Sequence, residues 1–248
     1  PRPQSAQVSW QQAYLDRFYS PAKGWIDGTS EFHALCAAQI PRGAAILEIG
    51  AGPSNPTSRS LASLGRLSGL DVDPEVRSNE SLVEARVLET QTYPFPDSSF
   101  DACVSNYVLE HIADPVAHLS EVGRILRPGG VYLFRTPNRF HYIALVSRLT
   151  PHWFHERVAN RLRNLSEGEH EPYPTYYRLN SRGAIRRCAA LAGLRVRELR
   201  MVEKEPSYGM ASRLLFLSFL LYERIVNSSP RFAPLRVNIF GALEKDGI

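Results

Sequence analysis

Residues Ile46–Thr57 read ILEIGAGPSNPT, and this stretch decides the fold. It begins with branched apolar residues, which are typical of a strand buried on both faces of a sheet. The strand ends at a turn in which Gly50 and Gly52 allow a ligand to approach the main chain closely. Asn55 stands at a helix N-cap position, and Pro56 follows at the first helical position. The pattern predicts a strand, a glycine-rich turn and a helix whose first N–H groups face a ligand.

An acid in this stretch, Glu48, separates two kinds of ligand-binding turn. A dinucleotide-binding turn carries Gly-x-Gly-x-x-Gly, and its helix N–H groups bind a pyrophosphate. The third glycine of that spacing would fall at Asn55, so the spacing fails. A carboxylate just before the turn would repel a pyrophosphate but suits a ligand with a positive ammonium or sulfonium end. A tight strand-to-helix connection that binds nothing is the remaining alternative.

The composition is that of a folded α/β protein. A chain of 248 residues can form one large domain with insertions or two small domains. The formal charge of +4 is mildly basic, and arginines are abundant between positions 157 and 200. This arginine content indicates either solvated helix faces or an anionic partner. The three cysteines are isolated in sequence, which predicts a reducing cytoplasm, and we expect neither a signal peptide nor a transmembrane helix.

Further strands follow the glycine turn at regular intervals. The segment Leu67–Asp73 predicts a short buried strand that ends in acid. Asp71 lies 23 positions after Glu48, close to the interval at which Rossmann-like folds place a ribose-binding carboxylate. The alternative for Asp71 is a helix cap, and Asp73 is expected to cap the next turn. Strands are also predicted over 83–88, 100–105, 131–138, 194–201 and 236–244, and helices over 10–19, 30–39, 118–130, 181–192 and 212–227.

These segments together resemble the class I S-adenosylmethionine (SAM)-dependent methyltransferases, in their small-molecule branch. The Glu-x-Gly-x-Gly turn is similar to the first motif of that family. The most specific part of the resemblance is SFDACVSNYVLEHIADP at 99–115, and the whole resemblance covers Ile46–Asn138. It implies a Rossmann-like, doubly wound sheet of seven strands, mostly parallel with an antiparallel C-terminal hairpin and helical lid insertions. It also implies SAM as the cofactor.

The resemblance assigns roles to individual residues at the carboxyl ends of the strands. Asp71 would bind the ribose hydroxyls, Glu89 the exocyclic amine of adenine, and the Thr90 backbone N–H a ring nitrogen. The cofactor-binding residues it implies are Glu48, Gly50, Ala51, Gly52, Asp71, Val72, Glu89, Thr90 and Asn106.

His111 is the candidate catalytic base, because it follows the fourth strand closely and histidine transfers protons near neutral pH. The alternative is a histidine that only begins a helix. For the substrate, we expect contacts from His141, Tyr142 and Tyr176. No metal site is predicted, since His152 and His155 lack an acidic third ligand at a fixed spacing.

We expect a single methyltransferase domain over 1–248. Its predicted parts are N-terminal helices at 10–40, a cofactor-binding core at 44–138, a lid insertion at 139–180 and a C-terminal core at 181–248 with an apolar helix at 212–227. The N-terminal helices either pack on the main domain or close over the cofactor. The apolar helix belongs to the core or lid, or else meets an oily substrate, a second copy in a homodimer, or a membrane surface.

The predicted function is that of a bacterial, cytoplasmic SAM-dependent methyltransferase of secondary metabolism. Its substrate is expected to be a small-molecule, lipid-linked or glycan-linked metabolite, methylated on oxygen rather than on nitrogen or carbon. DNA is not an expected partner, because the Asn-Tyr-Val sequence at 106–108 lacks the Pro-Pro-aromatic pattern of base-methylating enzymes. An RNA methyltransferase, a catalytically silent SAM-binding partner subunit and an NAD-dependent oxidoreductase are the alternatives. Both a monomer and a homodimer fit the sequence.

Overall fold

A seven-stranded sheet forms the centre of the protein in the computed structural model, which describes residues 9–142, 173–204 and 212–247. The strand order is β3-β2-β1-β4-β5-β7-β6. The first five strands are parallel, and β7 runs antiparallel to both β5 and β6. This arrangement confirms the predicted fold class. The strands are β1 Ala44–Ile49, β2 Gly65–Asp71, β3 Glu84–Val87, β4 Phe100–Asn106, β5 Leu126–Pro137, β6 Leu194–Val202 and β7 Asn238–Lys245.

Helices cover both faces of this sheet. On one face, the side chains of Tyr132 and Phe134 belong to the apolar cluster that includes α4 and α5. On the other face, Leu133 belongs to the cluster that includes α2 and α3. Alternate residues of β5 are therefore buried on opposite faces, as expected for a central strand. The α-helices are α1 Trp10–Phe18, α2 Gly28–Gln39, α3 Pro56–Ala62, α4 Pro115–Ile125, α5 Arg182–Leu191 and α6 Arg213–Asn227.

The connection between α4 and β5 differs from the prediction of a helix over 118–130. The helix ends at Ile125, and the strand begins at Leu126 rather than at 131. Pro128 cannot donate a helical N–H bond, and Gly129 has a left-handed φ of 77°. The pairing with β4 shifts register where these residues bulge out. The predicted helix was therefore wrong over its last five positions.

An aromatic cluster joins the first helix to α6. Rings of Trp10, Tyr14 and Phe18 lie 5.4–6.4 Å from the fully buried ring of Phe216. This contact places α1 against the C-terminal part of the chain, and it favours the packing role over closure on a cofactor.

The opposite face of α6 carries exposed apolar side chains. The exposed residues are Leu214, Leu217, Leu221 and Ile225. The helix is thus packed on one face only, and the predictions for its other face stay open. Among the helices of the described ranges, none has the length and hydropathy that crossing a bilayer requires. Most of the predicted insertion at 139–180 lies outside the described residues, since the structure does not describe residues 143–172. His152 and His155 fall in this undescribed part.

Candidate active site

The glycine turn after β1 is open on one side and closed on the other. Gly50 has φ 72° and Gly52 has φ 52°, a left-handed conformation that favours glycine. A Cβ on Gly50 would lie 2.3 Å from Val108 Cγ2, so a side chain at this position would clash with the segment after β4. A Cβ on Gly52 would meet no atom within 4 Å. Gly50 therefore allows the turn to pack, whereas Gly52 leaves its main chain accessible.

The N-terminus of α3 is capped by the protein itself. Asn55 Oδ1 accepts the N–H groups of Thr57 and Ser58 at 2.8 and 3.0 Å. The N-cap prediction is confirmed, but the expectation that the first helical N–H groups face a ligand was wrong for these two. A pyrophosphate would have to compete with the asparagine for them, so this arrangement disfavours the dinucleotide alternative.

Glu48 supports the turn from behind. Its side chain is 3% exposed, and Ser58 Oγ donates to its carboxylate at 2.6 Å. Asn79 Nδ2 donates to the same Ser58 hydroxyl and to the Gly52 carbonyl at 2.9 and 3.2 Å. Burial raises the pKa of Glu48 to about 7 against the smaller, opposing effect of the Ser58 bond, and the charge of Asp71 adds to the rise. Binding a positive group near Glu48 would reverse this shift.

Asp71 stands where β2 ends, beside the open glycine. Its two carboxylate oxygens accept the backbone N–H groups of Gly52 and Asp73 at 2.8 and 2.9 Å. Each oxygen keeps a lone pair for a further donor, so the carboxylate is held in position to bind two vicinal hydroxyls. The residue that caps the following 3₁₀ turn is Asp73, as predicted, and the helix-cap alternative for Asp71 was wrong.

Val72, Glu89 and Thr90 lie at the same edge of the sheet. Asp71 is paired with Val87 across β2 and β3, so Val72 and Glu89 follow neighbouring strand ends. Val72 is 54% exposed and presents an apolar surface of the kind on which a flat ring can lie. Glu89 and Thr90 are exposed, and the Thr90 hydroxyl bonds to Thr92 within its own loop. The structure thus brings together the residues predicted to bind ribose and adenine.

Asn106 lies on the other side of the glycine turn, where β4 ends. Its amide Nδ2 donates to Thr57 Oγ1 at 3.2 Å. Its Oδ1 is buried and has no hydrogen-bond partner among the described residues. Since a buried acceptor without a donor is costly, Asn106 is suited to accept from a bound amine. Its position is consistent with the predicted role in cofactor binding.

His33 joins this group through the same threonine, although its sequence context gave no signal. Its Nε2 lies 3.2 Å from Thr57 Oγ1, and burial lowers its pKa. It is carried by α2, so only tertiary packing brings it near the end of β4. His33, Thr57 and Asn106 therefore form a polar cluster beside the turn.

His111 lies in the 3₁₀ turn Leu109–His111 that follows β4. Its Nδ1 lies 3.0 Å from the Pro174 carbonyl oxygen, which can only accept, so Nδ1 carries the proton. In the neutral ring, Nε2 is then the basic nitrogen. The backbone carbonyl of Glu110 accepts the N–H groups of Tyr176 and Tyr177 at 2.7 and 3.2 Å. This pairing holds the segment that begins at Tyr173 against the turn.

The neighbouring Glu110 carboxyl is buried under His111. Thr136 Oγ1 donates to it at 3.3 Å, and burial raises its pKa. Asn180 Nδ2 donates to the same threonine hydroxyl at 2.6 Å. These contacts fix the turn that carries His111 to the ends of β5 and of the 173–180 segment.

Of the three residues predicted to contact substrate, only Tyr176 lies beside this turn, where it is 43% exposed. His141 is 2% exposed, and its ring lies 4.2 Å from that of Tyr142 and 5.7 Å from that of Tyr222 in α6. Burial lowers the pKa of His141 to about 4. Tyr142 stacks on Phe219 of α6. Both residues pack on α6, and their predicted contact with substrate stays a prediction.

Arg135 is a second residue at this edge of the sheet that no motif in the sequence marks. It stands near the end of β5, paired with Asn106 of β4, and is 8% exposed. The sequence pattern indicates only that it belongs to a strand. Within the described ranges, no cluster of three or more His, Cys, Asp or Glu side chains is arranged to hold a metal ion.

The residues present fit a SAM-like ligand in three respects. The main chain at Gly52 is open, a fixed carboxylate stands at Asp71, and Asn106 offers an unpaired buried acceptor. An open turn between two strand ends, in a sheet of this order, is where doubly wound folds bind nucleotides. Fold and site thus define a nucleoside-binding α/β protein of the Rossmann-like class.

Comparison with known proteins identifies a domain within the chain and two relatives. Residues 47–134 match the family model described as "Methyltransferase domain". The chain is 37% identical over 120 residues to a probable S-adenosylmethionine-dependent methyltransferase of Mycolicibacterium smegmatis, covering 46% of each protein. It is 32% identical over 160 residues to the ubiquinone biosynthesis O-methyltransferase of Xanthomonas campestris, covering 56% of this chain and 66% of that one. The chain thus spans from about half to just under two thirds of the length of these two relatives.

Solved structures share the fold at low sequence identity. The putative methyltransferase in a complex with the Trm112 activator of Haloferax volcanii has a TM-score of 0.57 at 19% identity, covering 96% of this chain and 94% of that one. The [4+2]-cyclase SpnF has a TM-score of 0.55 at 16% identity, covering 98% and 85%. At this identity, the likeness concerns the fold alone. The family model makes residues 47–134 a methyltransferase domain, and the curated relatives show that the chain is similar to SAM-dependent methyltransferases, enzymes whose cofactor is SAM.

Proposed function

We propose that the protein transfers the methyl group of SAM to a hydroxyl of a small-molecule, lipid-linked or glycan-linked metabolite. The proposal of oxygen as the acceptor atom rests on one observation, the orientation of His111. Because its Nδ1 donates to the Pro174 carbonyl, its Nε2 is the nitrogen that can take a proton from a hydroxyl. The ubiquinone biosynthesis relative is an O-methyltransferase by name, which agrees with this choice.

The residues of the glycine turn and the two neighbouring strand ends would hold the cofactor. In this proposal Asp71 binds the ribose hydroxyls, Val72 and Glu89 flank the adenine, and Asn106 accepts from the amino group. SAM supplies an electrophilic methyl group on a positively charged sulfur when it is bound. The protein's part is to hold the acceptor oxygen in line with that methyl group and to keep water away.

His111 acts on the acceptor rather than on the cofactor in this mechanism. Its Nε2 accepts the hydroxyl proton as the oxygen becomes nucleophilic, and the Pro174 carbonyl holds the ring through Nδ1. The imidazolium that results would lie next to Glu110, whose carboxyl is buried beneath the same turn. A nearby carboxyl group stabilises such a cation once it is ionised.

The decisive experiment compares the wild-type protein with His111→Ala. Release of S-adenosylhomocysteine is measured with paired phenol and aniline acceptors, and SAM affinity is measured by calorimetry. We expect turnover of phenols to fall about 10²–10⁴-fold in the variant, as for loss of a general base. SAM affinity is expected to stay within about twofold, and added imidazole should restore part of the turnover. Equal turnover of phenols by the two proteins would show that His111 is not the base. A preference for anilines over phenols that is the same in both proteins would show this as well.

Two alternative functions predict different results. A catalytically silent subunit would bind SAM without releasing product, and a structure of this fold that is named as a cyclase shows that the fold itself fixes no reaction. An RNA methyltransferase would show binding to RNA that weakens steeply with salt. Cys36, Cys103 and Cys188 are free and buried, which supports a reducing compartment such as the bacterial cytoplasm.

A further inference from the structure

Arg135 places a buried guanidinium beneath the first turn of α2. Its Nη1 donates to Thr29 Oγ1 at 3.1 Å. A Cβ on Gly28 would lie 2.8 Å from Arg135 Nη2, so a larger residue at position 28 would clash with the guanidinium. Tyr107 lies on the other side, with its ring centroid 4.5 Å from the guanidinium carbon. The guanidinium therefore lies between α2 and the residue that follows β4.

The positive charge of Arg135 has no acidic partner among the described residues. Its Nε is buried without a hydrogen-bond acceptor. The two acids at the start of α2 are engaged elsewhere. The N-cap Asp27 accepts the N–H groups of Thr29 and Ser30, and Glu31 pairs with Lys204 and Arg200. The faces of Tyr107 and Phe240 offset part of the charge, but they do not neutralise it.

The other charges that face Arg135 make the lack of an anion more costly. The N-terminus of α2, a helix of 12 residues, carries the positive end of the helix dipole. The Lys204 side chain also runs nearby, with its Cγ 3.4 Å from the position of a Cβ on Gly28, and the charge of Arg135 acts to lower the pKa of His33. A buried arginine in such surroundings is destabilising unless an anion binds to it.

The location indicates which ligand would bring that anion. Arg135 is paired with Asn106 across β4 and β5. In the strand order, β5 lies on the far side of β4 from β1, which carries the glycine turn. The proposed cofactor site occupies the ends of β1 and β2 and reaches Asn106 of β4 at its limit, so a group that binds Arg135, one strand further on, is assigned to a second molecule over β4 and β5. That position is next to the methyl end of the cofactor in the proposed function.

We propose that Arg135 binds a carboxylate or phosphate group of the methyl acceptor, so that the substrate is an anionic metabolite. This inference rests on the proposed function for the identity of the ligand as an acceptor. The guanidinium offers an unpaired N–H and a planar edge, and such a group recognises carboxylate and phosphate oxygens. Gly28, Thr29 and Tyr107 form the walls of the subsite.

The test uses Arg135→Gln and a matched control, Arg200→Gln. Both arginines place their guanidinium carbon 5.7 Å from the Phe240 ring, but Arg200 is paired with Glu31 and its side chain is 42% exposed. Inorganic phosphate serves as the probe, and potassium chloride at equal ionic strength controls for general salt effects. Melting temperatures are recorded with and without saturating S-adenosylhomocysteine, and SAM affinity is measured by calorimetry.

We expect saturating phosphate to raise the melting temperature of the wild-type protein and of Arg200→Gln by about 2–4 °C. Arg135→Gln should lose this rise, while its melting temperature without phosphate equals or exceeds that of the wild type. SAM affinity should change less than about twofold.

Three results would overturn the proposal. The first is an equal phosphate effect in all three proteins. The second is a melting temperature of Arg135→Gln several degrees below that of the wild type, which marks a structural arginine. The third is a loss of SAM affinity in Arg135→Gln, which assigns the anion to the cofactor's own carboxylate. If the wild type binds no SAM, the proposed function fails instead, and the phosphate titration of the cofactor-free protein still tests Arg135.

Discussion

Glu48 shows how a single buried side chain links the glycine turn to its ligand. The carboxyl is enclosed by the turn it supports, and burial raises its pKa to about 7 from the ordinary 4.5. A pKa raised in this way leads us to expect a largely protonated Glu48 at pH 6 in the ligand-free protein. A ligand with a positive ammonium or sulfonium end favours the ionised form and lowers this pKa again.

Binding of SAM at pH 6 should accordingly release about one proton from Glu48. Calorimetric titrations in buffers with different ionisation enthalpies measure the number of protons released. We expect release near one in the wild-type protein and near zero in Glu48→Gln, which keeps the shape and can accept from Ser58. Equal proton release in the two proteins would show that the positive end of the ligand does not face this carboxyl.

The residues that could be predicted from sequence are those whose role is set by local spacing. Asn55 and Asp73 cap the elements that directly follow them, and the glycine turn and Asp71 lie at strand ends that hydrophobic patterning reveals. Arg135 and His33 could not be found in this way. Each meets partners that are distant in sequence, Thr57 for His33 and Thr29, Tyr107 and Phe240 for Arg135, so no short-range pattern marks them.

Among the elements, α6 depends most on contacts distant in sequence. Phe216 is fully buried, and rings from Trp10 to Tyr19 surround it. An aromatic stripe predicted α1, but its partner lies some 200 positions away and could not be inferred from the stripe. The predictions for His141 and Tyr142 met the same difficulty, because both pack on α6.

Phe216→Ala should destabilise the protein by about 3–5 kcal/mol, the usual cost of removing a buried phenylalanine. Leu214→Ala is the matched control, because Leu214 stands two positions before Phe216 in the same helix and is 78% exposed. This substitution should change the free energy of unfolding by less than about 0.5 kcal/mol. Urea unfolding followed by circular dichroism measures both values. Similar small effects of the two substitutions would mean that α1 and α6 do not pack together as described.

On the scale of the whole molecule, residues 173–180 cross the edge of the sheet where the strands of the site end. Tyr173 Oη donates to Asp73 Oδ2 at 3.1 Å, beyond β2. Pro174 and Tyr176 are bonded to the turn beyond β4. Because β1 lies between β2 and β4, this segment spans the sheet edge at which the glycine turn follows β1.

A ligand held between these anchors should slow hydrogen exchange of the segment. Adding S-adenosylhomocysteine is expected to protect the amides of Tyr176 and Tyr177 about tenfold or more, because opening of the segment must then compete with binding. The amides of α5, at 182–191, serve as the internal control and should change little. Protection confined to α5, or none at 173–180, would contradict a covering role for this segment.

SAM is proposed to lie against the main chain of Gly52, and a calorimetric titration of two glycine variants measures whether it does. Gly52 and Gly129 both have left-handed φ angles and open space at the Cβ position, but Gly129 lies at the opposite end of the strands. Both alanine variants carry a similar backbone strain, of about 1 kcal/mol. We predict that Gly52→Ala weakens SAM binding at least about tenfold while Gly129→Ala binds as the wild type does. Equal affinities in the two variants would show that SAM does not lie against Gly52.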